Sequence, residues 1–254
     1  MEENRFDKIE ENVPSPKINT SEKMENFWYY YKWHVLVGIG ILLLVVICGV
    51  QLFSRKDYDA YIIYAGPYEV KRTAENNDAP MYSTMISSLN RLVGDINEDG
   101  EVSVSFKDLF IMLSTEDIKE IEKNSDGRDS VNTALVQQNL QSFGDLIITT
   151  YDKYYISFVS TELYDKYKEV DAVAVFDDLS GYAVGIDGVE FYDSHAVYLN
   201  SVAAAKLPGL SSLPDDTLIV IKSVSDAAKY WSEKNSTKAH DEAVEIFIRM
   251  LNYK

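Results

Sequence analysis

Ala60-Tyr61-Ile62-Ile63-Tyr64-Ala65, followed at once by Gly66-Pro67, is the stretch on which the fold turns. Six residues without a charge, two of them β-branched and two aromatic, are too few for a buried helix and suit a strand covered on both faces. Gly-Pro then ends the run, because proline has no N–H to give to a ladder. The reading is a buried strand closed by a turn, the kind that belongs to an α/β layered sheet.

Outward from it, the chain alternates between the two periods. Asp78 and Pro80 open a helix whose stripe is Met81, Met85, Leu89, Leu92 and Val93, and Gly94 stops it. Val102, Val104 and Phe106 alternate with polar neighbours, as in a half-buried strand, and run on into Leu109 to Leu113. A helix is expected from about Ser130 to Phe143, stopped by Gly144, with a further strand over Asp145 to Thr150. Tyr155 to Tyr167 reads as a helix, and Ala172 to Phe176 as a short strand or core segment. Tyr182, Val184 and Ile186 read as an edge strand, and Leu218 to Ile221 as a buried one. The chain closes on a helix in which Ala243, Ile246, Phe247, Met250 and Leu251 fall on one face. Strands that alternate with helices predict a three-layer α/β domain on a mostly parallel or mixed sheet.

Upstream stands a different object. Val35 to Phe53, VLVGIGILLLVVICGVQLF, carries no charge over nineteen residues. At about 1.5 Å per residue it reaches roughly 28 Å, close to the hydrocarbon thickness of a bilayer, so it reads as a transmembrane helix. Phe27, Trp28, Tyr29, Tyr30, Tyr31 and Trp33 form an aromatic belt on one side, and Arg55 with Lys56 a basic clamp on the other. No small-x-small cleavage motif follows the apolar run, and Ile47 ahead of Cys48 does not suit lipidation, so the helix is read as retained. Lys23 and Lys32 balance Arg55 and Lys56, leaving length to set the orientation. A short leading tail makes the helix a signal anchor, with the amino end cytoplasmic and the carboxyl-terminal domain exported. The expected plan is therefore a disordered cytoplasmic tail with its aromatic belt over residues 1–34, the membrane helix over 35–53, a linker over 54–59, and an extracytoplasmic domain over 60–254. Within the tail, Met1 to Asn26 is polar and without hydrophobic periodicity.

The chain's formal charge is -17, and from Asp57 onward seventeen basic side chains face thirty-four acidic ones. Such a field repels phosphate backbones and anionic headgroups, which argues against nucleic acid and against a second membrane contact through a basic patch. Cys48 is the sole cysteine and lies in the apolar run, so the domain forms no internal disulfide.

Chemistry-bearing motifs are few. Asp95-Ile96-Asn97-Glu98-Asp99-Gly100 copies the opening of a calcium loop, with Asp95, Asn97 and Asp99 as oxygen ligands, but Phe106 stands where a bidentate acid belongs. An Asx-rich turn between helix and strand is the favoured reading, and a weak calcium site the alternative. No other cofactor is expected. The histidines, His34, His195 and His240, have no metal-ligand spacing. Asp193-Ser194-His195 reads as a loop, because a working triad is assembled from distant segments. His240 is placed at the exposed start of the last helix. No catalytic residue is assigned. Fifteen of eighteen tyrosines lie beyond the apolar helix. Of these, Tyr64 and Tyr68 after the first strand are placed with Thr149, Thr150 and Tyr151 at one cleft, as candidate ligand-binding residues.

Asn26 to His34 followed by a single apolar span resembles the start of a group of uncharacterised single-pass membrane proteins of Gram-positive, clostridia-like bacteria. Beyond it, the Asp95 to Phe106 turn and strand, the Gly144 to Ile148 step and the closing helix resemble the type II periplasmic-binding-protein fold of extracellular solute-binding proteins. That family inserts a second lobe in mid-chain, whereas here Tyr182 to Asp187 is followed within about thirty residues by the Leu218 strand, so the resemblance implies one lobe. The expected function is a membrane-anchored, non-catalytic interaction or scaffold domain. Its partners would be the lipid bilayer, through Val35 to Phe53, and a membrane or envelope protein. A cell-surface solute receptor is the alternative, and a hydrolase a distant third.

Overall fold

The chain divides into two compact units, Met1–Lys56 and Asp57–Lys254. The computed structural model describes residues 20–53, 58–70, 80–114, 132–170 and 173–254.

In the first unit a single helix, α1 (Thr20–Phe53), is apolar from Phe27 to Val50, which is long and apolar enough to cross a membrane. From Leu36 to Val50 its leucines and valines are exposed, an apolar surface on every side of the helix. Phe27 and Tyr31 stack one turn apart with ring centroids 5.1 Å from each other. The expectation of disorder through Asn26 is corrected for Thr20 to Asn26, which are helical. Nothing in Ser21-Glu22-Lys23-Met24-Glu25-Asn26 breaks a helix, and extending an existing one costs far less than starting it. The remainder of the tail, the Arg55–Lys56 clamp and the Asp78 start signal lie outside the described residues.

The second unit is α/β, with a mixed six-stranded sheet. Its centre is β1 (Ala60–Gly66), buried as the apolar run predicts. β1 pairs in parallel with β2 (Val104–Phe110) on one side and with β3 (Ile156–Ser160) on the other. β3 then pairs antiparallel with β8 (Thr217–Ile221), which carries the short hairpin of β7 (Ala196–Tyr198) and β6 (Phe191–Asp193) at the far edge. A separate two-stranded ribbon, β4 (Glu169–Val170) with β5 (Val173–Ala174), completes the strands.

Side-chain alternation along the strands builds two cores. Ile62, Tyr64, Phe106, Ile156, Phe158, Ile219 and Ile221 face one way, under α2 (Pro80–Val93) and α5 (Asp226–Leu251). Ile63, Ala65, Leu109, Val159, Leu218 and Val220 face the other, under α3 (Thr133–Ile148) and α4 (Thr161–Tyr167). That is three layers, helix on sheet on helix.

Three expected elements are corrected. Gly144 does not stop a helix, and Asp145 to Thr150 is not a strand: α3 runs through to Ile148, burying Val136, Phe143, Gly144 and Ile147 on one face. Gly144 serves packing, since a Cβ there would lie 3.2 Å from the Tyr167 hydroxyl. Tyr155 to Tyr167 divides into β3 and α4, with the Ser160 hydroxyl accepting from the Leu163 N–H at 3.4 Å as the N-cap. Tyr182 to Ile186 is a loop, because Gly185 at φ +80° breaks the pleat, and Val184 is 80% exposed.

Gly209 shows where backbone freedom is indispensable. Its φ is +89°, and a Cβ would lie 2.9 Å from the Met85 Cα and 3.0 Å from the Met85 nitrogen, both backbone atoms of α2. Gly209→Ala is expected to destabilise the domain by about 3 kcal/mol, read as a lowered denaturant midpoint. Gly188→Ala, at φ +86° with open space around it, is expected to cost only about 1 kcal/mol.

Candidate functional site

Parallel strands whose following segments leave toward opposite layers open a crevice at their carboxyl ends. β1 leads to α2 in one layer, β3 passes straight into α4 in the other, and the two strands are neighbours. A hollow of about 120 Å³ lies there, lined by Pro67, Ile111, Met112, Leu113, Ser160, Thr161, Glu162 and Asp216. Tyr64 does not open into it. Its ring is fully buried, its hydroxyl accepts from the Tyr68 N–H at 3.2 Å, and burial pushes its phenol pKa up. Tyr68 packs half-buried against the same core.

Thr149, Thr150 and Tyr151 lie at the other end of the sheet, which corrects their placement beside Tyr64 and Tyr68. They follow α3 and precede β3, so they sit where the parallel strands begin. Thr149 ends the helix, its N–H donating to the Asp145 carbonyl at 2.8 Å. The error arose from the β-branched run Ile147-Ile148-Thr149-Thr150, which mimics a strand and is the last turn of a helix with its cap.

At this end a cleft of about 380 Å³ is lined by Ile147, Ile148, Thr150, Tyr151, Tyr155, Ala174, Val175, Lys222 to Ser225 and the first turn of α5. Thr150 and Tyr151 are thus cleft residues, while Tyr64, Tyr68 and Thr149 are not among its lining. Lys222, one residue past β8, is buried at its base. Its ammonium donates to the Thr150 carbonyl, to Lys153 O at 3.3 Å and to Leu146 O at 3.5 Å, and lies 4.4 Å from the centre of the Tyr155 ring. Carbonyls at a helix carboxyl end carry partial negative charge, so a cation suits the place. Burial nevertheless pulls the Lys222 pKa down to about 8, opposed by the Asp152 carboxylate.

Tyr155 links this base to a second polar group. Its hydroxyl donates to Tyr151 O at 2.9 Å, and its ring meets the His240 ring edge-on at 5.9 Å. His240 Nε2 lies 3.0 Å from Asp177 Oδ2, which also accepts from the Tyr182 hydroxyl at 3.2 Å. The expected exposure of His240 is corrected: it sits in the middle of α5, its side chain 14% exposed. The sequence reading passed over Lys222 as well, although a lysine directly after Leu218-Ile219-Val220-Ile221 was the available signal, since a charge abutting a buried strand needs partners.

Asp193-Ser194-His195 forms the turn between β6 and β7. The Asp193 carboxylate accepts from the Tyr164 hydroxyl at 2.7 Å and from the His195 N–H at 2.9 Å. In the Asp95 to Gly100 segment the side-chain oxygens also serve the turn. Asp95 Oδ2 accepts from Gly100 N–H at 2.9 Å, Asn97 Oδ1 from Asp99 N–H at 2.9 Å, and Asp99 Oδ1 from Glu101 N–H at 2.8 Å. Asp59, just ahead of β1, reaches across to bind it, accepting from Ile96 and Asn97 at 2.8 and 3.0 Å and from Ser103 at 2.7 Å. Burial would raise its pKa, but these amides outweigh burial and hold the carboxyl below its usual range. Among the described residues no group of three or more His, Cys, Asp or Glu side chains is placed to hold a metal ion.

Comparison with known proteins finds no matching family model, no curated relative and no matching solved structure.

Asp59→Ala is expected to destabilise the domain by about 3 kcal/mol, since it orphans three amides, and chemical denaturation measures it. Lys222 gives a signature in pH. Its folded pKa lies below the unfolded value, so the native state sheds the proton first and stability rises with pH above 8. The rise is expected to reach about 2 kcal/mol by roughly pH 9.5 and to vanish in Lys222→Met, as denaturation midpoints across that range measure.

Proposed function

We propose that the chain is a single-pass membrane protein in which α1 is a retained signal anchor, its amino end in the cytoplasm. Asp57–Lys254 is then a non-catalytic interaction domain displayed outside the cytoplasm, with a membrane or envelope protein as partner. What supports this is the use to which the polar side chains are put. Asp59, Asp95, Asn97, Asp99, Asp193 and Lys222 are all bound to backbone groups of the domain itself. They tie the domain's own backbone together. On this reading the domain stands as one lobe of the type II periplasmic-binding-protein kind, single, without a partner lobe to close on a solute.

The cleft of about 380 Å³ favours a second reading, a receptor for a small apolar solute, because its volume falls in the range of ligand pockets. Two measurements decide. A phosphatase fused after Lys254 is expected to be active in cells, and a fusion that works only in the cytoplasm overturns the orientation. Saturating ligand, at about a hundred times its dissociation constant, adds about 2.7 kcal/mol and would raise the melting temperature by roughly 5–10 °C. Amino acids, short peptides and fatty acids are expected to leave it unmoved; a shift of that size with any of them establishes the receptor.

A further inference from the structure

The end of the sheet at which the chain enters the domain carries a cluster of aromatic rings. Tyr58, Tyr61 and Tyr154 gather where β1 and β3 begin, with ring centroids 5.6 and 5.4 Å apart, and the Lys153 ammonium lies 4.8 Å over the Tyr61 ring. β8 runs antiparallel to β3, so its carboxyl end arrives at the same place, Ile221 opposite Ile156. α5 starts five residues after Ile221. Its first helical piece breaks at Ser232 (φ -162°, ψ 52°), and the chain bends until the Ser236 hydroxyl reaches the Ala228 carbonyl at 3.5 Å. Tyr230 and Trp231 stand just ahead of that break, 82% and 72% exposed, their rings meeting edge-on at 5.3 Å. Two large aromatic rings held out into water at a bend, with ring contacts among the described residues only to each other, are available for binding.

The sequence says what is near. Six residues, Ser54 to Asp59, separate α1 from β1, which caps that span at about 25 Å even when fully extended. Tyrosine and tryptophan are the side chains that settle at the headgroup level of a bilayer, an apolar ring inward and a polar edge toward water. We infer that this end of the domain, led by Tyr230 and Trp231, rests on the lipid headgroups of the bilayer that α1 crosses. The contact is aromatic and needs no basic patch, in keeping with a domain whose excess of acidic side chains would be repelled by anionic lipid. It rests on α1 being a retained anchor, and it assigns the opposite end of the sheet, where β1 and β3 finish, to partners.

The chain has three tryptophans, so W28F with W33F leaves Trp231 as the sole indole reporter. The full chain is reconstituted in phosphatidylcholine vesicles, with and without lipid brominated near the headgroup. Flotation with the vesicles reports the anchor; failure to float removes the anchor and the inference with it. In floating vesicles, brominated lipid is expected to quench Trp231 emission to roughly half, with little dependence on salt. Adding Tyr230→Asp is expected to reduce that quenching while flotation persists. Trp231 open to acrylamide and untouched by brominated lipid overturns the inference. So does Trp231 shielded from both, which would put a second copy of the chain over the corner.

Discussion

Everything in the domain depends on β1 being buried on both faces and paired on both edges. Ile62 and Tyr64 belong to one core, Ile63 and Ala65 to the other, and all four are fully buried. Each large apolar side chain contributes about 1.5–3 kcal/mol by leaving water, and a strand with no wet face can sit only at the middle of a layered fold. From that position the rest follows. A parallel partner on each side requires crossover connections, and α2 and α3 supply them in opposite layers.

Crossover helices end where parallel strands begin, so their carboxyl ends collect at one edge of the sheet. Each is met there by a cation from a distant element. Arg249 of α5 donates to the Val93 carbonyl and, at 3.4 Å, to the Leu92 carbonyl at the end of α2, while Lys222 serves the end of α3. Asp59 does the converse work, an anion that satisfies amides in the turn leading into β2. For Lys222 and Asp59, a buried charge costs desolvation, and several hydrogen bonds to backbone offset that cost. Asp59 and Lys222 would look like catalytic candidates if judged by burial and pKa alone. Their partners identify them as the ties between layers.

Much of this was legible in the residues, and the failures have a common cause. β1, α2, β2, β8 and the packing face of α5 declare themselves through period and through Gly94, whose φ of +69° ends α2. Misreadings occurred where a local signal was outvoted by a contact distant in sequence. Gly144 looks like a helix stop until the Tyr167 ring is laid against it, and Tyr182 to Ile186 alternates like a strand although, among the described residues, no strand pairs with it. The site suffered more than the fold. Tyr64, Tyr68 and Thr149 to Tyr151 share a cleft only if Asp145 to Thr150 is a strand; as helix and cap it sets the two groups at opposite ends of the sheet. Lys222 and the His240–Asp177 pair are assembled from segments tens of residues apart, which no local pattern contains.

The antiparallel direction of β8 is what gives the two ends of the sheet different characters. In a wholly parallel sheet every strand would finish at the same end, and the end where β1 starts would hold only incoming connections. Because β8 reverses, its outgoing segment returns to that end and carries with it Lys222, the wall of the cleft and the start of α5. Entry to the domain, a buried cation, an apolar cleft and an exposed aromatic corner are thereby gathered by one reversal of chain direction. The far end keeps the narrower hollow between Pro67 and Asp216, with Tyr64 closed beneath Gly66, whose missing Cβ would otherwise lie 2.8 Å from the Tyr64 hydroxyl. A domain of this build has two unlike ends, and the direction of a single strand makes them so.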